Sequence, residues 1–278
     1  MRQTHFGTTL LGVTRPTILL SNDDGIRAAG LRALAEALSD LGRVVVVAPD
    51  RERSAQSHAF TLDRPLRCEE VEPGWFSVDG TPADCVYIGL LKICEERPNL
   101  VCTGINHGLN LGSDVFYSGT VAGAVEAALR DVPAIAMSYD FRLGREAGFK
   151  GAAKFAHALA RAVLAEGLPP GTLLNVNVPA NPVAARYLWT RLGKRVYRDQ
   201  VDQRADLRGR HYYWIGGPAE KSADEPGSDC HALSAGVTTV TPLGLDLTHA
   251  GLLAKLPDWK VDGFEHVLEK DLQGHKKG

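Results

Sequence analysis

Thr17-Ile-Leu-Leu-Ser21 is a short apolar run followed at once by Asn22-Asp23-Asp24-Gly25. An unbroken apolar run of this length, ended by turn-forming polar residues, reads as a strand buried on both faces. Beyond it Leu31, Leu34, Leu38 and Leu41 recur at helical spacing, and Gly42 is expected to close that helix. Val44-Val-Val-Val-Ala48 then forms a second strand, apolar throughout. Strand, amphipathic helix and doubly buried strand is the pattern of a βαβ unit in a parallel sheet.

The alternation continues down the chain. Thr81-Pro82 supplies a capping residue and a proline at the first helical position, predicting a helix to about Glu96. Leu100 to Gly104 reads as a third buried strand, Ser118 to Arg130 as a small-residue helix and Ala134 to Ser138 as another strand. Lys150 to Glu166 carries Phe155, Leu159 and Val163 on one helical face, and Leu173 to Val178 is a strand stopped by Pro179. The expected fold class is α/β, a doubly wound, mostly parallel, Rossmann-like sheet. After Pro179 the character changes. Tyr187 to Tyr197 and His211 to Ile215 are aromatic and alternating, Gly236 to Thr241 is β-branched, and all three read as antiparallel ribbons. Gly216 to Asp229 reads as a long polar loop of the kind used for function or interfaces. Gly263 to Gly278 reads as a helix fading into a basic tail. The chain thus divides into an N-terminal extension at 1–15, an α/β core at 16–180 and a ribbon and helix section at 181–278.

Composition narrows the function classes. The 278 residues are 44% hydrophobic and 23% charged, as in an ordinary globular protein. A net charge of −2 and a pI near 6.5 give no pull toward nucleic acid or anionic lipid. A phosphate-bearing ligand would have to be held locally, by a metal and by backbone amides. The five cysteines include no CxxC pair, and Cys85, Cys94 and Cys102 lie in apolar stretches as small hydrophobes. The expected setting is therefore reducing and cytoplasmic. The first fifteen residues lack the apolar core of a secretory signal. No run approaches the roughly 18 apolar residues of a membrane span.

Open α/β sheets bind ligands at the carboxyl ends of their strands, and three loops there carry coherent chemistry. In Ser21-Asn22-Asp23-Asp24-Gly25, adjacent carboxylates leaving a buried strand repel each other unless a cation or hydrogen-bond donors hold them. Hard oxygen ligands select Mg²⁺, Mn²⁺ or Ca²⁺. The same four polar residues are also ordinary turn and cap chemistry. Pro49 to His58 is polar, with hydroxyls at Ser54 and Ser57, and reads either as a solvated loop or as a source of a neutral ligand. Thr103-Gly-Ile-Asn106-His107-Gly-Leu-Asn110-Leu-Gly112 combines three glycines with two amide side chains. Tyr117-Ser118-Gly119-Thr120 then opens a helix, offering amides, hydroxyls and the positive dipole end to an anion. Helix capping by Ser118 explains that serine equally well. His58 and His107 lie in these loops and could move a proton. No P-loop and no GxSxG elbow is present.

These motifs, in this order, resemble the stationary-phase survival protein SurE family of metal-dependent nucleotidases. The matching segments are SNDDG at 21–25, APDRERSAQS at 48–57, TGINHGLNLG at 103–112 and DVFYSGTV at 114–121, with further similar segments in DGTPADCV at 79–86, HYYWIGG at 211–217, GSD at 227–229 and VTPLGLDLT at 240–248. Thr103 and Ser228 depart from the family's commoner serine and threonine. The resemblance implies one divalent cation per subunit, Mg²⁺ or Mn²⁺, with Ca²⁺ able to replace it, held by Asp23, Asp24, Ser54 and Asn106. It implies that Asp23 and Asp24 are catalytic and that Asn110, Ser118, Gly119 and Thr120 face the substrate phosphate. The implied reaction is hydrolysis of nucleoside 5′-monophosphates, with 3′-monophosphates and short polyphosphate as further substrates. The implied partner is a second copy of the chain, as a homodimer or homotetramer, with the section after 181 mediating the exchange. Neither nucleic acid nor a membrane is an expected partner. The rival reading is a non-catalytic nucleotide- or phosphate-binding protein on the same sheet.

Overall fold

In a computed structural model of the chain, β1 (Thr17–Ser21) is buried along its whole length, and its alternating side chains divide the core in two. Ile18 and Leu20 pack with Leu31, Leu34 and Leu38 of α1 (Ala29–Leu38). Leu19 faces the other way, into a cluster with Val45, Val47 and Val86. Each of these side chains contributes about 1.5–3 kcal/mol by leaving water, so β1 is the seam of both layers. The structure describes residues 15–141, 145–181, 185–197, 200–216, 219–222, 225–259 and 261–263. The expected N-terminal extension to residue 14 and the expected helix after residue 263 lie outside them.

Nine strands form the main sheet, in the order β3-β4-β2-β1-β5-β6-β7-β13-β8. The central strands β2 (Arg43–Pro49), β1, β5 (Leu100–His107), β6 (Ala134–Tyr139) and β7 (Thr172–Val178) run parallel. The chain moves from β1 outward to β2 on one side and later returns to place β5 on the other. That reversal of winding opens a crevice beyond the carboxyl ends of β1 and β5. On one face lie α1 and α4 (Arg145–Glu166), whose Phe149, Ala152, Ala156 and Ala160 join the first cluster. On the other lie α2 (Pro82–Ile88) and α3 (Gly119–Ala128).

Three expectations are corrected in detail. Gly42 does not cap α1, which ends at Leu38. A Cβ there would lie 2.2 Å from the Pro16 carbonyl oxygen, so the glycine permits a close crossing of two backbones. The helix expected to reach Glu96 instead ends at Ile88 and passes into a short π-helical stretch, Gly89–Ile93. Neither the β-branched run at Gly236 to Thr241 nor the start of Tyr187 to Tyr197 forms a separate antiparallel ribbon. The first supplies β13 (Thr238–Gly244), which enters the main sheet antiparallel to β7 and parallel to β8 (Tyr187–Trp189), with Val240 fully buried.

Sequence reading passed over an edge hairpin and the partner of the ribbon expected at His211 to Ile215. β3 (Cys68–Glu72) and β4 (Trp75–Val78) form an edge hairpin whose first strand is exposed throughout. β10 (Gln200–Ala205) pairs antiparallel with β11 (His211–Gly216), and both strands are exposed along their length. A further small ribbon joins β9 (Arg195–Tyr197) to β12 (Ala219–Ser222), within the stretch expected as a polar loop. Residues to Leu245 form one compact unit, and Asp246–Gly278 a second that includes the short helix α6 (Ala250–Leu253). No helix of the described residues is long and apolar enough to cross a membrane.

Candidate active site

Asp23 leaves β1 and is only 5% exposed. Its Oδ1 accepts the Thr120 hydroxyl at 2.5 Å, and its carbonyl oxygen accepts the Arg53 amide at 2.7 Å. The first contact fixes it to the start of α3, the second to the loop after β2. Gly119 lies flat against it, where a Cβ would come within 3.0 Å of Asp23 Oδ2. Any larger residue at 119 would push the helix start off the carboxylate. Thr103 Oγ1 donates to the Thr120 carbonyl at 2.7 Å, so β5 holds the same turn from below.

Asp24 is partly buried and turns to the opposite wall. Its Oδ2 accepts the His107 amide at 3.2 Å, and its Oδ1 lies 3.2 Å from His107 Nδ1. The His107 ring packs 5.2 Å from Phe149, and its Nε2 is buried with no hydrogen-bond partner among the described residues. Burial pushes the Asp23 carboxyl up to about 6, with the Thr120 hydrogen bond opposing and the Asp24 charge adding. Burial also raises Asp24, against the pull of His107. Among the described residues neither carboxylate is paired with lysine or arginine. Two adjacent anions, one buried and one partly so, are costly without a fixed cation, and a bound cation is the ordinary way to offset that cost.

The other expected ligands lie on the loops flanking this pair. Ser54 follows Arg53, whose amide is bonded to Asp23, but its hydroxyl is exposed and donates to Glu52 Oε1 at 2.8 Å. Reaching a cation at Asp23 therefore requires that hydroxyl to leave Glu52. Asn106 gives its Nδ2 to the Gly108 carbonyl at 3.1 Å, leaving Oδ1 as its coordinating atom. No group of three or more His, Cys, Asp or Glu suited to a metal occurs among the described residues. A set of two carboxylates, a hydroxyl and an amide oxygen is all oxygen and half neutral. It fits a hard divalent cation and not zinc.

The phosphate-facing candidates are less uniform. Ser118 caps α3, its Oγ accepting the Val121 amide at 3.0 Å, which leaves its hydroxyl hydrogen to donate elsewhere. Thr120 spends its hydroxyl on Asp23, which makes it a group that orients the carboxylate. Asn110 is buried at the ends of β5, β6 and β7, donating Nδ2 to Ser138 Oγ at 2.7 Å, while its carbonyl accepts from Asn175 and Asn177. His58 is paired elsewhere, 2.7 Å from Oε2 of Glu126, whose Oε1 pairs with Arg130.

Similarity to known proteins places the chain in a family. The family model described as survival protein SurE matches residues 18–199. The chain belongs to the SurE family. It is 54% identical over 251 residues to the 5′-nucleotidase SurE of Anaeromyxobacter dehalogenans (strain 2CP-C), covering 89% of this chain and 97% of that protein. It is 51% identical over 249 residues to the 5′-nucleotidase SurE of Myxococcus xanthus (strain DK1622), covering 89% and 94%. The crystal structure of the SurE protein from Aquifex aeolicus superimposes with a TM-score of 0.76 at 42% identity, covering 87% of this chain and 98% of that one. The family match spans β1, β2, β5 and the start of α3, the elements that converge on Asp23 and Asp24.

Sequence reasoning did not single out Asp114 or Asp229, and it named His107 without its pairing to Asp24. Asp114 pairs with Arg195 at 2.7 Å and accepts the Tyr197 hydroxyl. Fully buried Asp229 accepts the amides of Gly112, Gly193 and Cys230 at 2.7–2.9 Å. His107 bridges to Asp24. Asp114 and Asp229 fall inside segments that carried the resemblance, DVFYSGTV and GSD, and that was their only signal.

Proposed function

We propose that this chain is a divalent-metal-dependent phosphomonoesterase that hydrolyses nucleoside 5′-monophosphates to nucleoside and phosphate. The observation that carries the reading is the meeting of Asp23, next to Asp24 in the chain, with the start of α3, through the Thr120 hydroxyl and the close approach of Gly119. A phosphate-binding protein needs the helix start but has no use for a buried carboxylate packed against it with a second carboxylate alongside. That favours catalysis over the non-catalytic rival.

The cation is Mg²⁺ or Mn²⁺, one per subunit, with Asp23, Asp24, Ser54 and Asn106 as its ligands. When bound, it supplies Lewis-acid polarisation of a phosphoryl oxygen and orients an attacking group. The protein's own residues set the geometry. Thr120 holds Asp23 in one rotamer, and His107 holds Asp24 from the opposite wall. Ser118, Gly119 and Thr120 present the helix dipole and donors to the equatorial oxygens, where charge grows in the transition state. Asn110 is held at the rim of the same loop by Ser138, Asn175 and Asn177.

The 181–278 section mediates a homodimer or homotetramer. Its support is the β10–β11 hairpin, which leaves Tyr212, Tyr213, Trp214 and Ile215 exposed, although an isolated two-stranded ribbon is marginal in water. Phosphate release from AMP tests the reaction. EDTA stops it and added Mn²⁺ or Mg²⁺ restores it if the reading is right. Release that persists in EDTA, or none under any metal, contradicts it.

A further inference from the structure

Leu174, Val176 and Val178 of β7 belong to the core cluster shared with α1 and α4. The alternate positions face the other side of the sheet, where Leu173 joins the second cluster. The next two of those positions are Asn175 and Asn177, and both are fully buried. A parallel strand covered on both faces ordinarily reads as a continuous apolar run. A buried amide side chain is costly unless it is hydrogen-bonded. These two asparagines share one partner.

That partner is Asn110, which lies 65 positions from Asn175 and 67 from Asn177. Asn177 Oδ1 accepts the Asn110 amide at 2.8 Å, and Asn177 Nδ2 donates to the Asn110 carbonyl at 3.1 Å. Asn175 Nδ2 donates to the same carbonyl at 2.8 Å. Ser138, opposite Asn177 in the β6–β7 register, accepts the Asn110 side chain. Asn110 is thus gripped by its amide, its carbonyl and its side chain. The polar ladder is not tuned for stability. Asn175 Oδ1 and Thr239 Oγ1 of β13 are buried without a hydrogen-bond partner among the described residues.

The grip passes along the chain to the start of α3. The Leu111 carbonyl, next to Asn110, accepts the Asp114 amide at 3.0 Å, and the Asp114 carbonyl accepts the Ser118 amide at 3.1 Å. Two backbone hydrogen bonds therefore link the clamped residue to the N-cap of α3, the helix whose Thr120 holds Asp23.

We propose that Asn175 and Asn177 are positioning residues for the phosphate end of the site. They act through Asn110, fixing the loop after β5 and, through it, the turn that opens α3. The role rests on the phosphatase reading and extends the site to β7, which lends no side chain to the metal or the phosphate. The Asn110 Nδ2 carries two hydrogens and gives one to Ser138, so the clamp leaves the other for a phosphoryl oxygen.

The test measures phosphate release from AMP and from glycerol 2-phosphate with Mn²⁺, together with Tm and the Mn²⁺ Kd without substrate, in the full chain. In Asn175→Leu the Asn110 carbonyl keeps its bond from Asn177, so Tm is expected to stay within about 3 °C and the Kd within about threefold. Its kcat is nonetheless expected to fall about tenfold on both esters, with KM little changed. Asn177→Leu removes two contacts. It is expected to lower kcat about a hundredfold and to speed hydrogen exchange at the Asn110 amide at least about tenfold. A merely structural role would lower Tm and Mn²⁺ affinity in step with activity, or leave kcat unaltered. Either pattern in Asn175→Leu overturns the proposal, as does unchanged exchange at Asn110 in Asn177→Leu. If Asn177→Leu does not fold, Asn175→Leu decides alone. If the unsubstituted chain releases phosphate from neither ester, the phosphatase reading fails first and takes the positioning role with it.

Discussion

In β1 and β6 every residue is buried, whereas in β8, β10 and β11 every residue is exposed. The first pair lies at the centre of the sheet, where covering helices on both faces remove apolar side chains from water. The second group is held by backbone pairing and, at β8, by the Tyr187 ring against Phe155. Geometry at Asp23 is therefore set by the chain's own core. Geometry of the exposed strands beyond Pro179 depends on backbone pairing, on particular polar tethers and, as proposed, on a second copy. Of that section β13 alone enters the main core. The difference separates a core-anchored candidate site from an exposed section tied to the loop after β5 through β9 and Asp229.

The strongest way to break that contrast is to cut the tether between the two regions. Asp229 takes three backbone amides, from the loop after β5, from the β8–β9 connection and from the start of α5 (Asp229–Ser234). Asp229→Ala leaves those buried donors unpaired, at roughly 1–3 kcal/mol each before relaxation. The expected loss is about 4 kcal/mol, read as a fall of about 10 °C in Tm. A fall below about 2 °C would show that the tether carries little.

A second prediction sharpens the account of the buried edge. Burial raises Asp23 to about 6 in the metal-free chain, above its ordinary value of 3.8. A raised carboxyl stabilises the folded chain below 3.8, and that contribution is lost as pH climbs through about 6. In EDTA, the unsubstituted chain should therefore lose stability relative to Asp23→Asn between pH 4 and pH 7, by on the order of 3 kcal/mol. Mn²⁺ requires the charged carboxylates, so it should reverse the loss at pH 7 and bind more weakly below pH 6. Parallel melting curves that keep a constant gap across this range would refute the buried-charge account.

The smallest expected effect concerns the ribbon. Trp214→Ser combined with Ile215→Ser removes exposed apolar area and should change the stability of the single chain by no more than about 0.5 kcal/mol. Sedimentation should nonetheless show the assembly falling to single chains. An unchanged mass would remove β10–β11 from the interface.

What was legible in the sequence follows the same contrast. β1, α1 and β2 could be read because continuous apolar runs and helical leucine spacing leave few alternatives. β3 (CEEVE) and β10 (QVDQRA) could not, because an exposed strand has no buried face to impose a period. β13 was recognised as a strand but misplaced, since its β-branched run looks the same in a ribbon and in a sheet. At the site, Asp23, Asp24, Asn106 and the α3 start were visible as strand-end loop chemistry. The pairs that orient or extend them were not. His107 meets Asp24 across 83 positions, Arg195 meets Asp114 across 81, and Gly112 meets Asp229 across 117. Local spacing carries no trace of such contacts.

The central claim is that Asp23 and Asp24 hold a divalent cation that hydrolysis requires. Its most direct test is phosphate release from AMP by the unsubstituted chain and by Asp23→Asn, each stripped with EDTA and then titrated with Mn²⁺. The account predicts full recovery in the first and a loss of at least about a thousandfold in the second, with its far-UV circular dichroism intact. Near-normal turnover by Asp23→Asn at any Mn²⁺ concentration would contradict it.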